Sequence, residues 1–143
     1  MGEYKRCSIC NRKFSEYGNN PSPFLGSKCC DDCNKSLVIP MRIYESISDP
    51  KTAILFTQDG TVMSVKPKDD YFTLKELQNL VGGLIELYPH RVNNHLVVCN
   101  EEGMILNLRL NSIFRKYTNI SLVGDVLLCP ESIFEEPEGV DDE

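Results

Sequence analysis

The stretches Cys7-Ser8-Ile9-Cys10 and Cys30-Asp31-Asp32-Cys33 decide how the first third of this chain folds. Each is a C-x₂-C pair, and 19 residues separate the two pairs. A C-x₂-C turn lets both sulfurs point at one ion, and Zn²⁺ prefers tetrahedral thiolate coordination. Two such pairs at this distance are typical of a four-cysteine zinc site. We therefore predict one Zn²⁺ per chain, held by Cys7, Cys10, Cys30 and Cys33.

The residues that flank the two pairs predict a treble-clef or zinc-ribbon-like module. Asn11 follows the first pair, where a zinc knuckle needs a residue that tolerates left-handed backbone angles. Lys13-Phe14 can then start a short hairpin. The second pair precedes a predicted helical turn from Asn34 to Val38. We expect this turn to stop before Pro40, because proline disfavours the helical conformation in the residue that precedes it.

Cys29 leaves one alternative open in the ligand set. A C-x₃-C pair of Cys29 with Cys33 is compatible with the same site, but Cys30 completes the second C-x₂-C pair and is preferred. Because all four predicted ligands are thiolates, no position is left for a catalytic water. A module of about 48 residues also buries too little apolar surface to fold without help. The predicted role of the metal is therefore structural.

Composition indicates a folded protein of a reducing compartment. Apolar residues make up 41% of the 143 residues, which is enough for a packed core. The seven cysteines are odd in number and five lie within the first 33 residues, unlike a disulfide framework. No apolar run opens the chain, and no stretch approaches the ~18 apolar residues of a membrane span. We expect a cytoplasmic protein without a signal peptide or a membrane segment.

Charge is unevenly distributed along the chain. Residues 1–48 carry seven Lys/Arg and five Asp/Glu, a net of +2, whereas residues 49–143 carry eight and sixteen, a net of −8. Basic and aromatic groups together can hold phosphates and stack bases, but a net of +2 favours a solvated face that balances thiolate charge. Nucleic-acid binding is therefore a disfavoured alternative. It would use Lys5, Arg6, Arg12, Lys13, Lys28 and Lys35 with Tyr4, Phe14 and Tyr17.

We predict an α+β protein in three parts. Residues 1–48 form the zinc module, residues 49–130 a mostly antiparallel α+β domain, and residues 131–143 an acidic, solvated tail. Ser48-Asp49-Pro50 is a turn-forming boundary. The last part carries seven acidic groups and no basic one. The boundary leaves little linker, so we expect the first two parts to pack together.

The middle part predicts about six strands and two helices. Asp59-Gly60 fits a hairpin turn, and Thr73 with Glu76 fits a helix capping box. Gly82-Gly83 would end that helix, and Asn100-Glu101-Glu102-Gly103 would turn a second hairpin. The predicted strands cover residues 52–58, 61–65, 84–88, 96–99, 104–106 and 122–129, with a bulge or bend at Gly124-Asp125, and the second helix covers about 111–117.

Chemistry-bearing residues outside the cysteine pairs are few. His90 and His95 flank Asn93-Asn94 in a predicted loop, and either could serve as a base for Cys99, although no third orienting group is evident. Cys99 and Cys129 lie in apolar strands and are predicted core residues. A small enzyme using Cys99 and His95 is therefore an alternative, and our expectation is a non-enzymatic protein. The candidate binding residues are Asn93, Asn94, Asn100, Glu101 and Glu102.

Two stretches resemble known families. Tyr17 to Pro21, Lys28 to Asn34 and Val38 to Ile43 resemble a small zinc module common among uncharacterised bacteriophage proteins. Leu77 to Glu86, Cys99 to Gly103 and Val123 to Val126 are similar to a phage and plasmid domain family of unknown function. The resemblances imply a bacteriophage or mobile-element accessory protein that acts in the cytoplasm of a bacterial host cell.

These observations favour a protein that works by binding. The expected partner is a host protein or a small nucleotide ligand, bound so as to inhibit or sequester a component of bacterial defence. Small sheet domains with exposed edges often pair, so we expect a homodimer.

Overall fold

The computed structural model describes residues 5–15, 17–47 and 49–134. Its N-terminal part begins with a hairpin of β1 (Lys5–Arg6) and β2 (Lys13–Phe14), which pair antiparallel. A continuous helical stretch follows the second cysteine pair. It consists of α1 (Asp31–Cys33), a π-helical segment (Asn34–Val38) and α2 (Ile39–Ile47). The predicted knuckle, hairpin and helix are therefore present, but the knuckle lies inside the hairpin, between β1 and β2, instead of before it.

The helix does not stop before Pro40, so that prediction is wrong. A proline inside a helix lacks the backbone N–H, and its ring clashes with the carbonyl four residues earlier. The π-helical segment lies directly before Ile39 and Pro40, and this change of helical pitch is a common way to fit a disruption into a helix. The helix consequently continues to Ile47 and connects the cysteine module to the sheet.

Five antiparallel strands form the central sheet: β3 (Ala53–Phe56), β4 (Val62–Val65), β5 (Ile85–Leu87), β6 (Leu96–Asn100) and β7 (Val126–Cys129). Their order in the sheet is β4-β3-β7-β6-β5. Three further helical segments accompany them in the described residues: α3 (Leu74–Val81) after β4, α4 (Ser112–Thr118) between β6 and β7, and a 3₁₀ turn (Glu131–Ile133) after β7. The predicted α+β class is confirmed.

The predicted signals of α3 are confirmed. The Thr73 hydroxyl accepts from the Glu76 amide at 3.1 Å, and the Glu76 carboxylate accepts from the Thr73 amide at 2.7 Å. These two bonds satisfy amides that a helix start leaves without partners. At the other end, Gly82 has a φ of 83°, a left-handed conformation that glycine adopts without strain.

The second predicted hairpin is wrong, and the sheet has five strands instead of six. The apolar residues Met104, Ile105 and Leu106 form a turn in which the Leu106 amide bonds to the Glu102 carbonyl at 2.8 Å. Local bonds of this kind replace the ladder of a strand. Met104 and Ile105 are 80% and 83% exposed, so an apolar side chain at these positions does not indicate a buried residue. The last strand is also shorter than predicted, because it begins at Val126, after Gly124 and Asp125.

Two apolar clusters cover the two faces of the sheet, because successive strand residues point to opposite sides. One face carries Leu55 and Leu127 and packs on α3. The other face carries Phe56 and Leu128, which form one apolar cluster with residues of α4 and of the cysteine module. The module and the sheet thus share a core, and no helix within the described ranges is long and apolar enough to cross a membrane.

The beginning of the predicted acidic tail is part of the fold. Ile133 is 2% exposed, and its carbonyl accepts from the Phe72 amide at 2.9 Å. Phe134 packs on the same cluster as Ile133. The solvated tail predicted from residue 131 therefore does not include residues 131–134, and the prediction for 135–143 lies outside the described residues.

Candidate metal centre

The structure brings the sulfurs of Cys7, Cys10, Cys30 and Cys33 into one group. All four Sγ atoms lie within 4.8 Å of one another, and the Cys10 and Cys30 sulfurs are 3.9 Å apart. A tetrahedral site with Zn–S bonds of about 2.3 Å has sulfur–sulfur edges of ~3.8 Å. The spacing of the group thus fits a tetrahedral metal ion.

The first pair sits on a tight knuckle between β1 and β2. The Asn11 amide bonds to the Cys7 carbonyl and the Cys7 amide to the Arg12 carbonyl, both at 2.9 Å. Asn11 has a φ of 65°, which confirms the predicted left-handed position. The amides of Ile9 and Cys10 each lie 3.4 Å from the Cys7 sulfur. The knuckle therefore directs partial positive charge at a ligand atom, as a thiolate requires.

The second pair is positioned by the start of the helix. Cys30 precedes α1 in an extended conformation, and Cys33 lies in the first helical turn. Arg12, which follows the first pair, contacts the second pair: its guanidinium lies 3.8 Å from the Cys30 sulfur and 2.7 Å from the Asp32 carboxylate. Arg12 is thus placed to balance thiolate charge.

The sulfurs are not equivalent in acidity. Burial acts to raise the pKa of Cys7, but hydrogen bonds from the backbone of Cys10, Cys30 and Ile9 outweigh it and lower the pKa to about 6. Burial, together with the neighbouring Cys10 and Cys7 sulfurs, raises the pKa of Cys33 well above its usual value. A cation is the group that would let all four sulfurs carry charge together.

Cys29 stands apart from the group of four. Its side chain is fully buried, and its backbone pairs with Asn19 through two hydrogen bonds of 2.9 and 3.0 Å. Burial raises the pKa of this thiol to about 11. Cys29 therefore has the environment of a core residue, and the geometry favours Cys30 as the ligand.

Three more basic residues of the module, Arg42, Arg6 and Lys28, contact other groups of the module. Arg42 donates to the carbonyls of Ser22 and Asn20 at 2.8 Å. Arg6 donates to the Asn11 carbonyl at 2.9 Å, and the Lys28 ammonium lies 4.3 Å from the centre of the Tyr17 ring. Tyr4, an aromatic residue of the nucleic-acid alternative, lies outside the described residues. Contacts of this kind favour a structural role for these side chains.

A groove lies where the helix from the metal centre meets the sheet. Its volume is about 570 Å³, within the range of small-molecule sites. Ile43 and Ile47 of α2 line one side, and Ile54 and Leu128 line the sheet side. Ile54 pairs with Leu128 across neighbouring strands, so the floor is continuous.

Polar residues line one end of this groove. The Tyr117 hydroxyl donates to the Glu45 carboxylate at 2.5 Å and accepts from the Asn93 side-chain amide at 2.6 Å. His95 lies beside them, with Nδ1 2.7 Å from the Asn93 carbonyl. Burial, and then the bond to Glu45, raise the pKa of Tyr117, so the hydroxyl remains a donor. Glu45, Asn93 and Tyr117 also line a second cavity of about 420 Å³.

The candidate binding residues separate into two places. Asn93 lines the groove, and Asn94 follows it in a turn with a φ of 66°. Asn100 is 5% exposed; its amide donates to the Val81 carbonyl at 3.1 Å and its oxygen accepts from the Glu102 amide at 2.7 Å. The Asn100 side chain thus supports the fold, while Glu101 is exposed and Glu102 half-buried at the far end of the sheet.

Cys99 and His95 do not meet in the described structure. Cys99 is buried and its thiol donates to the Glu86 carbonyl at 3.5 Å, whereas His95 lines the groove. The two residues are four positions apart along an extended chain, a distance of ~13 Å. Burial, and then the charge of Glu86, raise the pKa of Cys99 to about 11. An activated nucleophile has a lowered pKa.

Sequence reasoning missed Glu45 and Tyr117 of the groove. Tyr117 lies 72 positions after Glu45 along the chain, so only the packing of α4 on α2 joins them. No local pattern marks either residue. The one sequence signal that could have indicated the groove was the presence of two polar residues, Asn93 and His95, beside an apolar strand.

The geometry defines this chain as a four-cysteine metal-module protein with a five-stranded antiparallel α+β domain. Residues 51–142, more than half of the chain, match the family described as Domain of unknown function (DUF3846), and the chain belongs to that family. The comparisons found no matching curated protein and no matching solved structure.

Proposed function

We propose that this is a binding protein in which a structural Zn²⁺ site holds one wall of a ligand groove in place. The observation that carries the proposal is the continuous helical stretch from Cys33 to Ile47. Its first turn supplies a sulfur to the four-cysteine group, and its last turns line the groove. Loss of the metal would therefore release the wall that α2 provides.

Zinc is the metal that the donor set favours. Four cysteine sulfurs are soft ligands, and a tetrahedral arrangement of four thiolates is typical of structural zinc. Such a centre has no open position for water or substrate. The proposed stoichiometry is one Zn²⁺ per chain, with Cys7, Cys10, Cys30 and Cys33 as ligands and a stabilising role only.

The bound molecule is proposed to come from a bacterial host. The motifs that resemble bacteriophage and plasmid proteins motivate this step, with inhibition or sequestration of a defence component in the bacterial cytoplasm as its leading form. The groove supports a small ligand over a large one, since its volume suits a molecule of metabolite size. A host protein as partner is the competing form of the same proposal.

A homodimer is part of the proposal. The strands β4 and β5 lie at the two edges of the sheet, and each leaves backbone groups without a strand partner within the described ranges. Such edges are templates for pairing. Sedimentation of the purified protein would measure the mass of the assembly directly. A monomer at all protein concentrations would contradict the proposed homodimer.

The experiment is affinity capture from an infected bacterial lysate, analysed for metals, proteins and small molecules. We expect one zinc per chain and one specific companion molecule. Substoichiometric zinc in freshly prepared, unstripped protein would contradict the metal centre. Turnover of a substrate, abolished by one side-chain change, would move the function to catalysis. Tight DNA binding that weakens steeply with salt would move it to the basic cluster.

A further inference from the structure

The groove between α2 and the sheet holds a carboxylate without an ionic partner. Within residues 5–15, 17–47 and 49–134, the salt bridges are Arg12–Asp32 and Arg91–Glu131. Glu45 therefore has no salt-bridge partner in this part of the chain, and its only side-chain hydrogen bond there is to the Tyr117 hydroxyl. One carboxylate oxygen, Oε1, remains available to a ligand.

Two more acceptor atoms accompany Glu45. The Asn93 amide nitrogen donates to Tyr117, and no described residue bonds to the Asn93 side-chain oxygen. His95 points Nδ1 at a carbonyl, so Nδ1 carries the proton and Nε2 is the acceptor of the neutral ring. All three residues line the same groove. A group with several N–H donors would satisfy them together.

The positive charge of Lys66 does not make the net charge of the groove lining positive. Hydrogen bonds from the Lys51 amide and the Thr52 hydroxyl, with the charge of Lys66, lower the pKa of Asp49. Asp49 and Lys66 both line the groove and balance each other. The remaining charge is that of Glu45, which disfavours a phosphate or a nucleotide and favours a cation.

Aliphatic side chains line another part of the groove, beside the polar Thr52 and Ser64. Ile43 and Ile47 of α2 and Ile54 and Leu128 of the sheet lie along a cavity of about 570 Å³, which has room for a ring or a branched chain. Burying such a body supplies affinity, while the acceptors at one end set its direction.

We propose that this groove binds a small amphipathic amine. Its ammonium group donates to Glu45 and to the neighbouring acceptors of Asn93 and His95, and its apolar body lies between α2 and the sheet. This inference rests on the proposed binding function and names the ligand class of the same groove.

The test is calorimetric titration with three probes that share one ring and differ in charge: phenethylamine, 2-phenylethanol and 3-phenylpropionate. We expect phenethylamine to bind at least about tenfold more tightly than the other two, as for a charge-assisted hydrogen bond. Equal binding of the three probes, stronger binding of the carboxylate, or no binding of the amine would overturn the proposal.

Two variants locate the site. Glu45→Gln keeps an oxygen for Tyr117 but removes the charge, so amine affinity should fall about tenfold or more. Glu86→Gln, at an exposed position on the edge strand β5 and outside the groove lining, is the matched control and should leave affinity unchanged. Equal effects of the two would contradict the site. Ser64→Phe fills the groove floor from an exposed position and should abolish binding.

Zinc content and thermal midpoint are measured for every variant. Retained zinc with lost amine binding supports the groove and excludes unfolding. If no probe binds while lysate capture still yields a specific companion, the ligand class alone is overturned. If capture also yields nothing, the proposed binding function fails with it.

Discussion

The two ends of the sheet use the same kinds of polar residue in opposite ways. At the closed end, which comprises Gly82, Gly83, Asn100, Gly103, Asn111 and Gly124, amide side chains bond to backbone groups of the fold. At the open end, which is the groove between α2 and the sheet, Glu45 and Asn93 keep acceptor atoms that bond to no other described residue. The difference separates residues that hold the fold from residues that can hold a ligand.

The closed end is packed around two buried asparagines. The Asn111 side chain donates to the carbonyls of Phe56 and Gly124 at 2.8 Å and accepts from the Phe114 amide at 2.9 Å. A methyl group at Gly103 would lie 2.5 Å from the Val123 side chain. Residues 77–86, 99–103 and 123–126 of the DUF3846 domain meet here, and their asparagine and glycines serve backbone hydrogen bonding and close packing.

The largest expected effect comes from the metal centre, which supports the open end. Cys30→Ser should remove the zinc and unfold the module, because apparent binding energies of structural zinc are about 10–16 kcal/mol. Metal analysis and thermal unfolding measure both effects. Cys29→Ser is the matched control and should retain one zinc per chain, since Cys29 lies outside the sulfur group. Zinc loss in the control alone would reverse the ligand assignment.

The second largest effect is expected from a substitution that destabilises the closed end of the sheet. Asn111→Ala removes three buried hydrogen bonds and leaves the partner groups unsatisfied, at a cost of about 3–5 kcal/mol. Chemical denaturation measures the change in unfolding free energy. Asn79→Ala, on the exposed face of α3, should change it by less than about 0.5 kcal/mol. A small loss at Asn111 would show that the closed end is not a structural clamp.

A smaller effect is expected from shortening the chain. Ending it after Pro130 removes the buried Ile133 and the packed Phe134, which should cost about 2–4 kcal/mol. A chain that ends after Phe134 keeps both residues and serves as the control. If both truncations unfold at the temperature of the full chain, the contacts of residues 131–134 contribute nothing.

The smallest effect concerns the open end. Tyr117→Phe removes the hydroxyl that joins Glu45 to Asn93, with an expected loss of about 1 kcal/mol because both partners can reach water. Amine binding should weaken as Glu45 loses its fixed position. Tyr71→Phe, at an exposed position outside the groove, should alter neither stability nor binding. A loss of stability as large as that expected for Asn111→Ala would mean that the hydrogen bonds of Tyr117 with Glu45 and Asn93 stabilise the fold.

Local signals in the sequence determined the zinc module and most of the secondary structure. The paired cysteines, Asn11 and the capping box at Thr73 each act within a few residues, so their geometry follows from the chain itself. Local signals misled where neighbours elsewhere decided the outcome. A π-helical segment carried the helix past Pro40, and Met104 to Leu106 turned outward instead of pairing.

Only the tertiary structure decided which polar residues serve the fold and which line a groove. Asn93 and Asn100 look alike in sequence, yet Asn100 is enclosed by the end of α3 while Asn93 faces α2 and α4. Glu45 and Tyr117 meet across 72 positions of the chain, where no local pattern connects them. The physical reason is that burial and unmet hydrogen bonds depend on the packing of distant elements, and short-range periodicity does not contain that information.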